Sequence, residues 1–159
     1  MYQHAPPGYD CPFCAIVAGR DAPLPHTQQS DVVLRAGGAT AFISSRWWPN
    51  NAGHVLVVPD THVENLYDLT PAIAAPVHEA ARRVAIAMKQ AYACAGTSTR
   101  QHNEPAGDQE VWHYHQHVFP RYDGDRLYEL RGRFTSPEER APYAARLREQ
   151  LSRPPEGSG

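Results

Sequence analysis

Three histidines stand at alternate positions in the segment WHYHQHVFP, residues 112–120. Successive side chains of a β-strand project to opposite faces, so a strand here would carry His113, His115 and His117 in a row at about 7 Å spacing. Imidazole titrates near neutral pH, attacks phosphorus and binds metal ions, so the row indicates a reactive surface. One alternative is an incidental His-rich strand. Another is a two-metal hydrolase, which Gln116 disfavours because the H-x-H-x-D-H pattern needs an aspartate there.

The length and charge of the chain limit its class. Its 159 residues suit a single domain, expected over residues 1–159 with a core at about 11–122 and mobile ends at 1–9 and 152–159. A formal net charge of −2 argues against a nucleic-acid partner, and no apolar run approaches the roughly 20 residues that cross a membrane. The start, MYQHAPPG, lacks the pattern of a signal peptide. We therefore expect a cytoplasmic chain with reduced thiols.

Hydrophobic patterning predicts an α+β domain built on an antiparallel sheet. The predicted strands cover residues 31–34, 39–43, 54–58 and 112–120, the first two joined as a hairpin. Apolar residues recur at three- and four-residue steps over 73–92, which predicts an amphipathic helix capped by Thr70. Pro76 would remove a hydrogen bond, so we expect the regular helix to begin near that residue. The sequence SPEE at 136–139 has capping-box spacing and predicts a short C-terminal helix.

Two further motifs precede the histidine row. Residues 11–19 are CPFCAIVAG, and residues 53–62 are GHVLVVPDTH. With the histidine row, which is followed by arginine, they resemble three motifs of the histidine triad (HIT) family. These motifs are an N-terminal C-x-F-C-x-I-x-x-G stretch, a G-H-x-L-V-I-P-K-x-H strand and the signature H-φ-H-φ-H-φ-φ, in which φ is apolar. The resemblance runs from about residue 11 to residue 121 and points to the bacterial zinc-containing, hydrolase-like branch.

The resemblance implies a HIT-like fold: an antiparallel sheet of about five strands, one long helix and a short C-terminal helix. It also implies a homodimer that pairs through the long helix and a neighbouring strand. The implied activity is that of a nucleotidyl hydrolase or transferase acting at the α-phosphate of a nucleotide substrate. By position, His115 would be the nucleophile that forms a covalent nucleotidyl-histidine, His117 would contact the phosphate, and His54 would lie close to the triad.

The loop before the histidine row resembles a phosphate-binding loop of the family. Residues 101–110, QHNEPAGDQE, resemble its N-x-G-x-x-A-G-Q-S-V pattern. Asn103 and Gln109 are the residues carried over, each as an amide donor to a phosphate oxygen. Asp108 and Glu110 depart from the pattern and place two carboxylates near the loop. The alternative is a polar surface loop without ligand contact.

A second departure lies in the segment FISSRWWPN that begins at Phe42. The family commonly has an acidic residue here that binds ribose hydroxyls, and Ser44 takes its place. We expect Phe42 and Ser44 to contact the substrate, with looser ribose recognition because a hydroxyl is a weaker partner than a carboxylate. Trp47 and Trp48 could stack on a base or an aromatic leaving group, or serve as packing or dimer contacts. We expect an altered leaving-group preference.

The pair Cys11 and Cys14 has the spacing of a zinc knuckle, but two thiolates fill only half of a tetrahedral site. In zinc-containing members of the family, the partners correspond to His62 and His113. The resemblance therefore implies a structural Cys2His2 zinc site, with no metal required for the chemistry. The alternative is a reduced, metal-free CxxC. Cys94 is expected to be a packing residue.

The leading hypothesis is a nucleotide-binding hydrolase that cleaves a P–N or P–O bond to a nucleoside monophosphate. One alternative shares its chemistry: a dinucleoside polyphosphate hydrolase or phosphorylase, or a nucleotidyltransferase. The other is a non-catalytic nucleotide-binding module, which Ser44, Asp108 and Glu110 would favour. The sequence does not specify the base or the leaving group.

Overall fold

The computed structural model describes residues 2–154. Its strands are β1 (Val32–Ala36), β2 (Ala39–Ile43), β3 (Arg46–Trp47), β4 (Val55–Pro59), β5 (Gly96–Gln101), β6 (Gln116–Arg121) and β7 (Arg133–Phe134). Its helices are α1 (Pro12–Val17), α2 (Pro71–Ala91) and α3 (Pro137–Leu151). The main sheet is antiparallel, with the order β1-β2-β4-β6-β5, and β3 pairs with β7 in a separate ribbon. The predicted fold class is confirmed, while α1 and the ribbon are additions to it.

The predicted hairpin is present between β1 and β2. Gly37 and Gly38 form the two-residue turn with φ of 63° and 100°, left-handed values that glycine adopts without strain. All of β2 is buried, because it lies between β1 and β4 in the sheet. β4 is also fully buried, as its run of β-branched and aliphatic residues predicted.

The long helix starts earlier than expected. We predicted a regular start near Pro76, but α2 begins at Pro71, where Thr70 Oγ1 accepts a hydrogen bond from Ile73 N at 3.4 Å. Pro76 removes one helical hydrogen bond, yet α2 buries an apolar face that includes Val84 against the sheet. Tertiary packing therefore outweighs the local preference. Within residues 2–154, no helix has the length and hydropathy needed to cross a membrane.

The strand that carries the histidine row starts later than predicted. β6 begins at Gln116, four residues after the predicted start. The backbone before it bonds outside the sheet ladder, since Tyr114 N donates to Val63 O at 2.7 Å. Only His117 therefore lies in the ladder, and the other two histidines of the row precede it.

The C-terminal helix is anchored by a buried ion pair. Ser136 and Glu139 form the predicted capping box at its start. One turn into the helix, Arg140 is fully buried, and its guanidinium donates to both carboxylate oxygens of Asp31 at 2.8 and 2.9 Å. Arg140 also donates to Thr135 O. α3 is thereby held against the segment that leads into β1.

The chain before α1 was expected to be mobile, but it makes specific contacts with the domain. The backbone N–H groups of His4 and Ala5 donate to the Glu64 carboxylate at 2.6 and 3.2 Å. At the other end, residues 155–159 of the expected mobile tail lie outside the described residues.

Replacing Asp31 with alanine should lower the free energy of unfolding by about 3–5 kcal/mol, because the substitution leaves the Arg140 charge buried without a partner. Chemical denaturation measures this change. A double variant, Asp31→Leu with Arg140→Met, should recover most of the loss. The matched control is Glu79→Ala, which breaks an exposed ion pair with Arg82 and should leave the unfolding midpoint unchanged. A double variant no more stable than Asp31→Ala would contradict the explanation.

Candidate active site

A cleft of about 500 Å³ opens where β6 begins. Three of the residues predicted to act on or bind the substrate line it: Ser44, His115 and His117. The predicted residues outside its lining are Phe42, His54, Asn103 and Gln109. The segment between β6 and β7 closes one side with Leu127 and Tyr128.

His115 is held in one tautomer. Its Nδ1 lies 2.7 Å from the backbone oxygen of His113. A carbonyl oxygen can only accept, so Nδ1 carries the hydrogen and Nε2 keeps its lone pair. Burial lowers the pKa of His115 to about 4, so the ring is neutral near pH 7. The result is an uncharged, oriented imidazole in the wall of the cleft.

His117 lies between His115 and His54. The ring centroids of His115 and His117 are 5.2 Å apart, and His117 Nδ1 lies 3.4 Å from His54 Nε2. His54 is fully buried, and its ring stacks on Phe119 at 4.3 Å, so it supports the cleft from behind. Burial and the nearby charges hold the pKa of His117 well below its ordinary range and lower that of His54 to about 3.

Gly53 allows the chain to turn into β4 just before His54. Its φ is 79°, and a Cβ at this position would lie 2.5 Å from a ring carbon of Tyr143 and 2.7 Å from the hydroxyl of Tyr92. The Tyr92 hydroxyl donates to Gly53 O at 3.2 Å. Glycine is therefore needed both for the turn and for the close approach of the two tyrosines.

Two other residues predicted to bind substrate, Phe42 in β2 and Ser44 just after it, lie at different depths. Ser44 lines the cleft, with its hydroxyl donating to Arg46 O at 3.1 Å and accepting from Arg46 N at 3.2 Å. Phe42 is fully buried behind Phe13, with ring centroids 5.3 Å apart. Phe13 itself lines the cleft and packs edge-on against His115 at 5.2 Å.

The amides of Asn103 and Gln109 bond within the protein. Asn103 Oδ1 accepts from Leu66 N at 2.7 Å. Gln109 Oε1 accepts from Glu104 N at 2.9 Å, and its Nε2 donates to Glu64 O at 2.6 Å. The structure thus gives both residues the contacts of loop supports.

Other side chains of the same loop face the cleft: His102, Asp108 and Glu110. His102 Nδ1 lies 2.6 Å from Gly107 O, so this nitrogen carries the hydrogen and Nε2 keeps a lone pair. Glu110 accepts two hydrogen bonds from Arg46 Nη1, at 2.9 and 3.1 Å. This pairing offsets the negative charge of Glu110.

The adjacent tryptophans have separate roles. Trp48 lines the cleft, and its indole N–H donates to Leu130 O at 3.0 Å. Trp47 is buried in the main core and packs edge-on against Tyr143, with ring centroids 4.9 Å apart. Of the two tryptophans, only Trp48 therefore lines the cleft.

A second group of side chains lies beside the first histidine of the row. The ligand atoms of Cys11, Cys14, His62 and His113 all lie within 4.8 Å of one another. His113 Nδ1 is 3.4 Å from Cys11 Sγ, 3.5 Å from Cys14 Sγ and 3.2 Å from His62 Nδ1. Tetrahedral zinc separates sulfur and nitrogen ligands by roughly 3.3 to 3.8 Å, and the distances from His113 Nδ1 to the two sulfur atoms lie in that range.

The orientation of His113 also suits a metal. Its Nε2 lies 2.9 Å from Pro59 O and must donate to that carbonyl. Nδ1 therefore turns its lone pair toward the two cysteines. The hydrogen bond from Nε2 to Pro59 O is of the kind that usually orients a histidine ligand. The histidine row thus divides: the ring of His113 lies in the cysteine–histidine cluster, and the rings of His115 and His117 lie at the cleft.

The family model described as HIT domain matches residues 26–124. The chain belongs to the histidine triad family. It is 34% identical to Protein hit of Bacillus subtilis over 113 residues. The aligned region covers 71% of this chain and 72% of that protein.

Solved structures of the histidine triad family share the fold. A Zn-bound histidine triad family protein from Mycobacterium smegmatis is 30% identical, with a TM-score of 0.72 over 90% of this chain and 94% of that one. A Hit-like protein from Bartonella henselae is 28% identical, with a TM-score of 0.72 over 89% of this chain and 96% of that one.

Three residues that were not predicted as site residues line the cleft of this histidine triad protein beside the triad: Arg46, Arg100 and His102. Arg100 could have been found once β5 was paired with β6, because it lies directly opposite His117. His102 and Arg46 lie in or beside loops, where no periodic pattern gives the direction of a side chain.

Lowering the pH should destabilise the fold through His54. Its folded pKa of about 3 lies below the ordinary value of 6.5, so the unfolded chain binds the proton more readily. The stability that neutral His54 contributes is therefore complete above about pH 6.5 and is lost as the pH falls toward 3. Between about pH 7.5 and pH 5, this histidine should account for a loss of about 2 kcal/mol.

Denaturant unfolding of wild type and His54→Gln at both pH values measures this contribution. The variant should lose less stability between them than wild type does. His78→Gln, which changes an exposed histidine of α2, should retain the wild-type pH dependence. Equal losses in wild type and His54→Gln would show that His54 is not the group responsible.

Proposed function

We propose that this chain is a hydrolase that attacks the α-phosphate of a nucleoside phosphoramidate or related nucleotide derivative and forms a covalent nucleotidyl-His115 intermediate. Members of the histidine triad family are typically nucleotide hydrolases or transferases. Adenylylsulfatase HINT3 of Arabidopsis thaliana is 25% identical over 75% of this chain and 56% of that protein. That relative supports the general reaction class but does not specify the substrate.

The oriented imidazole of His115 is the observation that carries the proposal. A nucleophile needs a lone pair near the substrate, and the His113 carbonyl fixes that lone pair on Nε2. The low pKa of His115 keeps the ring unprotonated near neutral pH. Serine would need a separate base, whereas this imidazole needs none.

The proposed reaction has two steps. His115 Nε2 forms a bond to the α-phosphorus, and the bond between phosphorus and the leaving group breaks, with the bonding electrons going to the leaving group. An amine leaving group takes up a proton from solvent as it departs. A water molecule then attacks the phosphorus of the cationic nucleotidyl-histidine. The P–N bond breaks, His115 recovers its lone pair, and the nucleoside monophosphate and a proton are released.

The other predicted site residues support this step in our proposal. An N–H of His117 donates to a phosphate oxygen and stabilises the charge that develops there. His54 positions His117 through their 3.4 Å contact. Ser44 offers its hydroxyl to the substrate, Phe42 backs the wall that Phe13 forms, and Asn103 and Gln109 hold the phosphate loop in shape.

His115→Ala should lower kcat/KM for adenosine phosphoramidate by at least about 10⁴-fold and abolish the covalent adduct, because it removes the attacking atom. Product chromatography measures release of the monophosphate, and intact-protein mass spectrometry detects the adduct. His78→Ala is the matched control and should behave as wild type.

Retained turnover in His115→Ala would refute the assignment of the nucleophile. Binding without turnover in wild type would favour the non-catalytic module. Transfer of the nucleotidyl group to added phosphate or sugar phosphate would favour the phosphorylase or transferase alternative.

We further propose that Cys11, Cys14, His62 and His113 hold a structural zinc ion. Four protein ligands would close the coordination sphere, so the ion would supply structural cross-linking and no open position for chemistry. It would join α1 and the segment after β4 to the chain just before β6. His113 would then hold the backbone oxygen that orients His115.

Cys14→Ser should remove zinc and lower the free energy of unfolding by roughly 3 kcal/mol, a fall in Tm of about 6–12 °C. Elemental analysis should find one zinc per chain in wild type and in Cys94→Ala, the control at a cysteine outside the cluster. Wild type purified without chelator and free of zinc would contradict this proposal.

The homodimer implied by the resemblance and the cytoplasmic location expected from the sequence also stand as proposals. Light scattering coupled to size exclusion tests the first. Loss of the dimer on introducing charge at Ile86, which is exposed on α2, would support pairing through that helix.

A further inference from the structure

Arg100 occupies an unusual position beside the triad. It lies on β5 directly opposite His117 of β6, and its side chain lines the cleft. Its guanidinium carbon is 4.6 Å from the ring centroid of Trp48 and 4.7 Å from that of Phe119. Two aromatic rings therefore contact the guanidinium at cation–π distance.

The donors of Arg100 have no protein acceptor. Its Nε is buried and has no hydrogen-bond partner, and within residues 2–154 no carboxylate oxygen lies within 4.0 Å of the guanidinium. Burial lowers the pKa of Arg100 from its ordinary value. Partial burial of a cation without a hydrogen-bond acceptor costs free energy of folding. An acceptor on a bound ligand would offset that cost.

Other arginines near the cleft differ in this respect. Arg46, the other arginine of the lining, is paired with Glu110 at 2.9 Å. Arg121 is paired with Asp125 at 2.7 Å. Arg100 thus presents a positive charge that no carboxylate pairs directly, although Asp108 also faces the cleft. Its planar fork matches the oxygen atoms of phosphate or sulfate.

We propose that Arg100 binds an anionic leaving group, so that the cleft favours nucleotide derivatives whose leaving group is a phosphate or a sulfate over those whose leaving group is an uncharged amine. This inference rests on the proposed hydrolase function. A nucleoside monophosphoryl unit carries its charge only on the α-phosphate that His115 attacks. A second anionic group must therefore belong to the leaving group.

The charge that develops on the departing group explains how Arg100 would favour an anionic leaving group. When the P–O bond to sulfate or phosphate breaks, the bonding electrons stay on the departing oxygen, which gains negative charge. Arg100 can stabilise that charge by donating hydrogen bonds, and no proton has to be transferred. When a P–N bond breaks, the amine must instead gain a proton, which a guanidinium does not supply.

Three substrates with a shared adenylyl unit test the inference: adenosine phosphosulfate, diadenosine triphosphate and adenosine phosphoramidate. Arg100→Met, which keeps an apolar stem between the two rings, should lower kcat/KM for the first two by about 10- to 100-fold. Turnover of the phosphoramidate should change by less than about 3-fold, since it needs no anion contact. The relative losses for phosphosulfate and triphosphate show whether sulfate or phosphate is the preferred group.

Arg146→Met is the matched control. This arginine of α3 also lies over two aromatic rings, 4.6 Å from Tyr143 and 5.1 Å from Tyr92, but outside the cleft. Its loss removes the same kind of stacking without removing a cleft donor. It should leave the ratio of kcat/KM between the anionic and neutral substrates unchanged.

Equal losses on all three substrates in Arg100→Met would overturn the inference and assign Arg100 to the α-phosphate or to packing. No loss on any substrate would overturn it as well. A shift of the substrate ratio in Arg146→Met equal to that in Arg100→Met would have the same meaning.

A binding measurement separates this inference from the proposed function. In a His115→Ala background, calorimetry should find that ADP binds about 10-fold more tightly than AMP, and adding Arg100→Met should remove the difference. If wild type releases no AMP from any substrate, the hydrolase proposal fails. An ADP preference that depends on Arg100 would still support an anion subsite, and its absence would refute one.

Discussion

The register between β4 and β6 is the constraint on which the cleft depends. Leu56 lies opposite His117, and both side chains line the cleft. Their neighbours Val55 and Val118 form the next pair and belong to the core beneath α2. A slip of one residue would exchange these faces, burying His117 in the helix-side core and exposing valine to the cleft. Because both faces of β4 are apolar, the alternation of His117 with Val118 in β6 sets this register and thus the chemistry.

The end of the β6 ladder then divides the histidine row. Because the backbone before Gln116 leaves the sheet, His113 can point toward the cysteines of the N-terminal segment while His115 points into the cleft. The two residues remain coupled through one hydrogen bond, from His115 Nδ1 to the His113 carbonyl. Anything that positions His113 therefore also sets which nitrogen of His115 is free.

Sequence patterns predicted the parts of this fold in which burial repeats regularly. The β1–β2 hairpin, β4 and the apolar stripe of α2 follow from periods of two and 3.6 residues. The start of α2 was wrong because packing outweighs the lost hydrogen bond at Pro76.

The loop at residues 101–110 was harder to predict for a different reason. Glu104 and Asp108 adopt left-handed φ values of 62° and 65°, which no periodic pattern foretells. The directions of the Asn103 and Gln109 amides depend on that path. Arg100 became recognisable as a cleft residue only through its cross-strand neighbour.

The ion pair of Asp31 with Arg140 also bears on how the chain is made. The two residues are 109 positions apart, and they join the segment before β1 to the last helix. During synthesis, Asp31 must stay hydrated until α3 has left the ribosome, because its carboxylate has no other cationic partner among the described residues. The segment before β1 can therefore reach these native contacts only once α3 is available to pack against it.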